Sequence, residues 1–383
     1  MRKYLFIGLL VFILLLPVWM WLGWVFTPNT KLVAAIIDKT VLTREVQEHI
    51  SFNWILNHQR YTKTSKKAYE SAHDYYGFFP LSDEKFELKG LERFSSNELV
   101  QLSEDADLVY FTDTYGIYNN EWYKGKKGPY GIVYGGLSNK DVEFLSLMKA
   151  KNKLILTEFN TIGSPTRLEN RARFEELFAI KWTGWTARYF DNLDIEVNKE
   201  IPLWLIDNYK KSHQGEWPFK RSGIAFVNDS EKVVILEDTT HLTNPMPHIL
   251  SKLYAMENLG VPEKIKYPFW FDIILPQPAI NQTVASFKIS ANQKGLAELE
   301  KFGIPSEFPA VTMHKGEDYS FYYFSGDFSD NPINLKTSYF KGIRFFKGMF
   351  YNENDPTERA GFFWNFYRPM LSNILKDYSA NKP

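Results

Sequence analysis

Apolar runs of strand length recur along the chain, and each ends at or beside a carboxylate. The clearest three are LVAAIID (32–38), DLVYFTD (107–113) and LILTEF (154–159). Runs that are apolar at every position are typical of strands buried on both faces of a parallel sheet. The pattern therefore predicts an α/β fold with a mostly parallel sheet and flanking helices.

Helical periodicity follows the first strand and separates the later ones. Val46, Ile50 and Trp54 form an apolar stripe at i, i+4 and i+8, which predicts a helix through about residue 58. Ser138 and Asp141 form a capping pattern that predicts a second helix after a glycine turn at 135–136. Residues 131–165 thus show the clearest strand, turn, helix and strand succession in the chain.

The second half of the chain is predicted to be richer in strands. WTGWTARYF (182–190) is a predicted strand, 201–211 a short helix and 223–236 a hairpin around an Asn–Asp turn. Four prolines within 244–268 indicate a boundary. We therefore expect an α/β domain at 31–245 and a second α/β region at 246–383, which can be continuous with the first. Further predicted elements are strands at 269–275, 283–289, 308–313 and 319–328, and helices at 295–303 and about 358–378.

The N-terminus carries an uncharged apolar run. Two basic residues in the stub at 1–3 precede residues 4–26, which contain no charge and end in several tryptophans. About 20 apolar residues suffice to cross a bilayer, and basic residues favour the cytoplasmic side. The run predicts a single-pass transmembrane helix at 4–26, with the bilayer as partner, a cytoplasmic N-terminus and an extracytoplasmic main domain. The alternative is a cleaved signal peptide, which would end in a small-residue cleavage site rather than tryptophans.

Composition excludes several classes of chemistry. The chain has 45 basic and 45 acidic residues and no cysteine. Thiol nucleophiles, disulfides and thiolate metal sites are therefore excluded. The charge balance argues against a nucleic-acid partner. His49 and His58 are too far apart on one helix to share a metal ion, and we expect neither a metal nor another cofactor.

The sequence GIVYGG (131–136), followed about twenty residues later by LILTEFN (154–160), resembles class I glutamine amidotransferase-like domains. The resemblance extends over about residues 31–240 and implies a flavodoxin-like α/β fold. In that family the second strand runs into a sharp turn that holds a catalytic cysteine. Glu158, Phe159, Asn160 and Thr161 occupy these positions here, so the resemblance implies the fold without glutamine hydrolysis.

Candidate site residues follow from the strand ends, because α/β sheets bind ligands outside the carboxyl ends of their strands. An acid pair at such an edge is what glycoside hydrolysis requires. Each acid can instead be structural, as the cap of a following turn. The candidate catalytic residues are Asp113, Glu158 and Asp327, and the candidate ligand-binding residues are Asp38, Tyr115, Trp122, Asn160 and Thr161.

Three functional hypotheses remain open at this stage. The leading one is a non-catalytic accessory that binds a carbohydrate or a membrane-protein partner in envelope assembly or polysaccharide export. The second is a glycan hydrolase that uses Asp113 and Glu158, and the third is a structural subunit whose loop at 114–131 becomes buried on assembly. Asp272, and the set Glu237, Asp238 and His241, are further acid–base candidates.

Overall fold

The computed structural model of the protein describes residues 2–43, 47–123 and 131–382. Val46 of the predicted helical stripe and residues 124–130 of the predicted loop at 114–131 lie outside these ranges. The strands are β1 Thr30–Lys31, β2 Ala34–Asp38, β3 Tyr61–Thr62, β4 Tyr76–Pro80, β5 Phe86–Leu88, β6 Leu108–Asp113, β7 Ile117–Tyr118, β8 Ile132–Tyr134, β9 Leu154–Glu158, β10 Ile180–Phe190, β11 Gly223–Asn228, β12 Val233–Glu237, β13 Leu242–Ser251, β14 Lys264–Lys266, β15 Trp270–Pro276, β16 Gln282–Ala291, β17 Glu307–Lys315 and β18 Ser320–Phe324.

The helices alternate with the strands in the first half of the chain and become sparser in the second. They are α1 Arg2–Leu14, α2 Leu16–Val25, α3 Gln47–Gln59, α4 Ser96–Asp105, α5 Asn119–Trp122, α6 Asn139–Ala150, α7 Leu168–Phe178, α8 Leu203–Ser212, α9 Gln293–Lys301, α10 Ala360–Phe362 and α11 Arg368–Asn381. A π-helical turn, Phe363–Tyr367, joins α10 to α11.

The main sheet has ten strands in the order β14-β13-β16-β17-β18-β9-β6-β2-β4-β5. The four pairs from β18 to β4 are parallel and the other five are antiparallel. The prediction of a mostly parallel sheet is therefore wrong. One cause is visible at residues 316–319, which alone join β17 to β18, because so short a connection permits only antiparallel pairing.

The parallel strands form the centre of the molecule, and helices cover both of their faces. The runs at 32–38, 107–113 and 154–159 supply β2, β6 and β9, which are neighbours in parallel register. Their side chains alternate between two cores, since successive residues of a strand point to opposite faces. Ile36 packs in the core that contains α3 and α11, whereas Ile37 packs in the core that contains α4, α6 and α7.

A second, antiparallel sheet in the order β12-β11-β10-β15 lies beside this core. The predicted hairpin at 223–236 supplies β11 and β12, and the strand predicted at 182–190 is the C-terminal part of β10. The backbone N–H of Asp272 in β15 donates to the carbonyl of Ser325, just after β18. This bond brings the second sheet to the end of the parallel strands.

The proline-rich segment at 244–268 contains two strands at the edge of the main sheet. Pro245 and Pro247 lie inside β13, where the pairing with β16 shifts register between Asn244 and His248. Proline lacks a backbone N–H, so a sheet accommodates it at such irregularities. Because β18 pairs with β9, the main sheet combines strands from before and after residue 245.

The apolar N-terminal run forms two helices instead of one. α1 has 13 residues and α2 has 10, and they are divided at Leu15, two residues before Pro17. Proline cannot donate the N–H that would continue the helix. At 1.5 Å per residue the two helices rise about 20 Å and 15 Å, against about 30 Å of bilayer hydrocarbon.

Within the described residues, no helix has the length and apolar character needed to cross a membrane. The predicted transmembrane helix at 4–26 is therefore wrong, and so is the single-pass membrane localisation that was derived from it. The end of α2 instead contacts the folded domain: the indole N–H of Trp24 donates to the carbonyl of Asn57 at 2.8 Å.

Candidate functional site

Four of the predicted acids lie at one edge of the main sheet. Asp38, Asp113 and Glu158 are the last residues of β2, β6 and β9, and Asp327 follows shortly after β18. These four strands are consecutive neighbours and parallel, so their carboxyl ends meet at the same edge. All four side chains are buried.

Glu158 accepts hydrogen bonds from two distant parts of the chain. Its Oε2 accepts from the hydroxyl of Tyr110 at 2.5 Å, and Tyr110 also contacts the hydroxyl of Tyr367 at 3.1 Å. Its Oε1 accepts from the hydroxyl and the backbone N–H of Ser329. Burial raises the pKa of Glu158 well above its usual range despite these donors. With both oxygens engaged, this carboxyl serves the architecture of the site and is poorly placed to react with a substrate.

Asp38 pairs with a histidine that the sequence analysis did not connect to it. The Nδ1 of His49 lies 2.5 Å from the Oδ2 of Asp38, and its Nε2 lies 2.9 Å from the carbonyl oxygen of Ser71. A carbonyl can only accept, so Nε2 carries a hydrogen and Nδ1 faces the carboxyl. The backbone N–H of Thr40 donates to Oδ1. Asp38 therefore has a partner at each oxygen.

Asp113 is 5% exposed, and the pKa of its carboxyl is raised. Its Oδ1 accepts from the backbone N–H of Tyr115 at 2.5 Å. Burial, helped by the nearby charge of Asp38, raises the pKa of Asp113 to about 8, although the hydrogen bonds from Tyr115 and Thr40 oppose the shift. At neutral pH Asp113 is thus largely a protonated carboxylic acid, which is the state that a general acid requires.

Lys39, the residue after Asp38, is already paired with other carboxylates and does not balance these acids. Lys39 is fully buried, and its Nζ contacts the carboxylates of Asp141, at 2.5 Å, and Glu92, as well as the carbonyl of Gly136 at 3.0 Å. Burial alone would lower the pKa of Lys39, but the two carboxylates raise it. Lys39 therefore forms its ion pairs with Asp141 and Glu92 and not with the acids at the strand ends.

Glu48 and Asp330, which the sequence analysis did not select, lie next to Asp327. One ligand oxygen each from Glu48, Asp327 and Asp330 lies within 4.8 Å of the others. Glu48 lies on α3, whereas both aspartates belong to the loop after β18. Burial and the neighbouring carboxylates raise the pKa of Glu48 and of Asp327 well above their usual range. The spacing Asp-x-x-Asp in SGDFSDNP was the available sequence signal for Asp330.

Donors to this three-carboxylate group are scarce. The Oδ1 atoms of Asp327 and Asp330 are buried and have no hydrogen-bond partner among the described residues. Asp330 does receive a hydrogen bond at its Oδ2, from the Nη1 of Arg359 at 2.8 Å. Three carboxylate oxygens in close proximity are suitable ligands for a hard divalent cation, whereas the other predicted acids at this edge are engaged elsewhere.

The predicted ligand-binding residues differ in burial and in their distance from the acids. Tyr115 is half-buried beside Asp113, and its ring lies 5.0 Å from that of Tyr118. Trp122 is buried against Phe78, and its indole N–H donates to a backbone carbonyl at 2.8 Å. The two tyrosine rings combine partial exposure with proximity to Asp113.

Asn160 and Thr161 form the turn after β9. Asn160 has a left-handed backbone with φ of 62°, a conformation that asparagine tolerates better than most residues. The hydroxyl of Thr161 donates to the carbonyl of Glu158 at 2.6 Å and is fully buried, so it stabilises the turn. The backbone N–H of Asn160 donates to Asp272 at 3.2 Å.

Asp272 is the buried acid of the second sheet and has three donors. Its Oδ2 accepts from the hydroxyl of Tyr323 at 2.9 Å and from the backbone N–H of Asn160, and its Oδ1 accepts from the hydroxyl of Thr186 at 3.1 Å. Burial raises the pKa of Asp272 to about 6 against the effect of these donors. The other alternative set, at 237–241, lies at the end of β12 in the second sheet.

No known protein-family model matches this sequence, and no curated protein matches it. Among solved structures, the chain is similar to a putative ThuA-like protein from Bacteroides uniformis, with 8% identity and a TM-score of 0.35 over 82% of this chain and 89% of the other. It is also similar to a β-galactosidase from Bacillus circulans sp. alkalophilus, with 10% identity and a TM-score of 0.33 over 82% and 32%. A third similar structure is Agd3, a carbohydrate deacetylase, with 8% identity and a TM-score of 0.27 over 78% and 29%.

Proposed function

We propose that the protein is a hydrolase of glycans in which Asp113 is the general acid. The observation that carries the proposal is the state of Asp113, whose pKa of about 8 keeps its carboxyl protonated at neutral pH at the carboxyl end of a central parallel strand. Raising the pKa of a carboxyl by burial and by neighbouring carboxylates is a way to obtain a general acid at neutral pH.

A second carboxyl is needed to activate water or to stabilise the positive charge that develops on the sugar. Asp327 suits this role better than Glu158. It is electrostatically coupled to Asp113, and its Oδ1 has no hydrogen-bond partner within the described residues. Coupled carboxyls lose their protons in separate steps, so one member can remain protonated while the other is ionised.

The reaction then balances in a simple way. Asp113 gives its proton to the bridging oxygen of the leaving sugar as the bond from that oxygen to the anomeric carbon breaks. Water adds to the anomeric carbon, and Asp327, in its ionised form, receives the proton that this water loses. Because the pKa of Asp327 is raised, this form becomes more abundant as the pH rises. A proton returns to Asp113 through solvent to complete the cycle.

The rings of Tyr115 and Tyr118 support a glycan as the substrate class. They are half-buried next to Asp113, with ring centroids 5.0 Å apart. Tyrosine combines a broad apolar surface with a polar hydroxyl, and this combination matches the apolar face and polar rim of a sugar ring.

A second candidate function is glycan binding without catalysis. The observation that favours it is the burial of the acids, since Asp113 is 5% and Asp327 7% exposed. A glycan that docks on the tyrosines without reaching these carboxyls would be bound and not cleaved. The two functions share a ligand class and differ in what Asp113 does.

The test is hydrolysis of a panel of nitrophenyl glycosides and polysaccharides by the full chain and by Asp113→Asn. We expect Asp113→Asn to lower kcat at least about 100-fold, the usual contribution of a general acid, while the glycan still binds. The exposed variant Asp207→Asn is the control and should keep full activity. Binding without hydrolysis by the unmodified chain would select the second function, and the absence of both would overturn the proposal.

A further inference from the structure

We propose that Glu48, Asp327 and Asp330 form a binding site for a single hard divalent cation, best matched by Ca²⁺. The inference rests on the geometry of these three carboxyls and does not depend on whether the chain hydrolyses glycans. It also departs from the expectation, drawn from the absence of cysteine and the histidine spacing, that the chain has no metal site.

The separation of the ligand atoms fits such an ion. The three oxygens lie within 4.8 Å of one another. Ca²⁺ binds oxygen at about 2.3–2.6 Å in flexible geometry, so oxygens up to about 5 Å apart can share it. Mg²⁺ keeps several waters and is usually bound through only one or two carboxylates, so a group of three carboxylates favours Ca²⁺. The ligands also come from two elements, helix α3 and the loop after β18, which converge on one point.

Unpartnered oxygens are the second, independent observation. Asp327 and Asp330 are 7% and 6% exposed, and the Oδ1 of each is buried without a hydrogen-bond partner in the part of the chain that the structure describes. Leaving a buried acceptor unsatisfied is costly. Glu158 lies at the same edge and has donors at both oxygens, so the edge can supply donors where no ion is to be bound.

The charges point to a divalent ion. A carboxyl that binds a metal ion does so in its ionised form, so as ligands the three carboxylates contribute three negative charges, and the guanidinium of Arg359, which donates to Asp330, contributes one positive charge. Among the described residues of the group and this partner, −3 and +1 leave −2, which one divalent cation neutralises.

The ligand type excludes the softer metals. Carboxylate oxygens suit Ca²⁺, Mg²⁺ and Mn²⁺, whereas Zn²⁺ and Cu²⁺ prefer imidazole or thiolate ligands. The chain has no cysteine, and His49, which follows Glu48 in the sequence, has both ring nitrogens engaged. Water or a substrate oxygen would complete the coordination of the ion.

Calorimetric titration and thermal unfolding of the full, chelator-treated chain test the site. Adding Ca²⁺ should raise Tm, because a ligand that binds only the folded state stabilises it. Asp327→Asn and Glu48→Gln should each weaken Ca²⁺ binding at least about tenfold, since even the outer partners of metal ligands contribute this much. Mg²⁺ and Mn²⁺ are run in parallel and should bind more weakly.

A second readout separates a cation site from a merely structural cluster. Without added cation, Glu48→Gln should raise Tm, because it replaces one of three closely spaced carboxyls with a neutral amide. The matched control is Asp272→Asn, a buried acid whose oxygens already have donors, and it should leave the Ca²⁺ response intact even if it lowers Tm. The proposal is overturned if none of the three ions raises Tm in the unmodified chain, or if Asp327→Asn keeps the full response.

Failure of this site and failure of the proposed hydrolysis are distinguishable. The cation test reads binding and stability and needs no substrate, whereas the glycan test reads turnover. A chain that binds Ca²⁺ but cleaves no glycan would support only the site, and a chain that cleaves glycans with its Tm unaffected by any cation would support only the hydrolase.

Discussion

Two sets of buried carboxyls lie close together in this protein and differ in the hydrogen-bond donors that the protein offers to their oxygens. Glu158 and Asp272 accept hydrogen bonds at both of their oxygens, from tyrosine, serine and threonine hydroxyls and from backbone N–H groups. Asp327 and Asp330 are almost as deeply buried, yet each has an oxygen with no donor among the described residues. The comparison shows that burial at a strand end does not by itself mark a functional acid.

The difference is one of donors. A buried carboxyl that is surrounded by donors has exchanged water for protein hydrogen bonds and has little capacity left for a ligand. A buried carboxyl that lacks donors holds a proton, binds a cation or remains strained. The first set therefore stabilises the end of the sheet, and the second set is available to a ligand.

The largest expected effect comes from removing Glu158, which accepts hydrogen bonds at both of its oxygens. Glu158→Ala should lower the free energy of unfolding by about 4 kcal/mol, because it opens a cavity and leaves the donors on Tyr110 and Ser329 without their acceptor. Urea unfolding measures this loss. Glu158→Gln keeps the shape and an acceptor and should cost about 1 kcal/mol. A loss below about 1 kcal/mol for Glu158→Ala would contradict its structural role.

A smaller effect should appear as pH dependence at Asp113. Its pKa is raised in the folded state from 3.8 to about 8, so the folded state binds the proton more tightly than the unfolded chain. The resulting stability is complete below about pH 4 and is lost as the pH rises toward 8. Between pH 5 and 7, the free energy of unfolding of the unmodified chain should fall by about 3 kcal/mol relative to that of Asp113→Asn.

His58 also changes its contribution to stability in this pH range, and the comparison of the two chains removes its effect. Burial lowers its pKa from 6.5 to about 4, so its contribution to stability is present above pH 6.5 and is lost as the pH falls toward 4. It opposes the trend of Asp113 and is common to both chains, so it cancels in the comparison. Parallel stability profiles for the two chains would rule out the protonated state assigned to Asp113.

The smallest effect concerns a single hydrogen-bond donor to Asp272. Tyr323→Phe removes the hydroxyl that donates to Asp272 and should cost about 1 kcal/mol. Asn160 and Thr186 remain as donors, so the carboxyl stays solvated. The pKa of Asp272 should rise above about 6, which carbon-detected NMR titration can follow. An unchanged pKa would show that the hydroxyl is not a significant donor.

The central strands could be predicted from sequence because their signal is local. Continuous apolar runs identify β2, β6 and β9, and the acids at their ends follow from the parallel arrangement. In the antiparallel half, β16, β17 and β18 were predicted as strands, but their antiparallel pairing was not. β13 was missed because Pro245 and Pro247 obscure it, and a register shift that accommodates proline cannot be seen in one strand alone. The predicted membrane span failed for a related reason, since Pro17 divides the apolar run.

The site could be predicted only in part. Asp113 and Asp327 were found from strand ends, whereas Glu48 requires knowledge that α3 meets the loop after β18. Solvation was not predictable at all: Tyr110 is near Glu158 in the sheet, but Ser329 is 171 positions away. Hydrogen bonds between such distant positions depend on tertiary structure, which periodicity does not report.

Ser329 also has a consequence for how the protein is made. It lies between Asp327 and Asp330, and its hydroxyl contacts both Glu158 and the backbone carbonyl of Glu48, 281 positions earlier in the chain. Contacts of such long range raise contact order and slow folding. During synthesis, Glu48 is made long before Asp327, Ser329 and Asp330, so the contacts among them can form only late. A chain truncated before residue 327 lacks two of the three carboxyls of the proposed cation site.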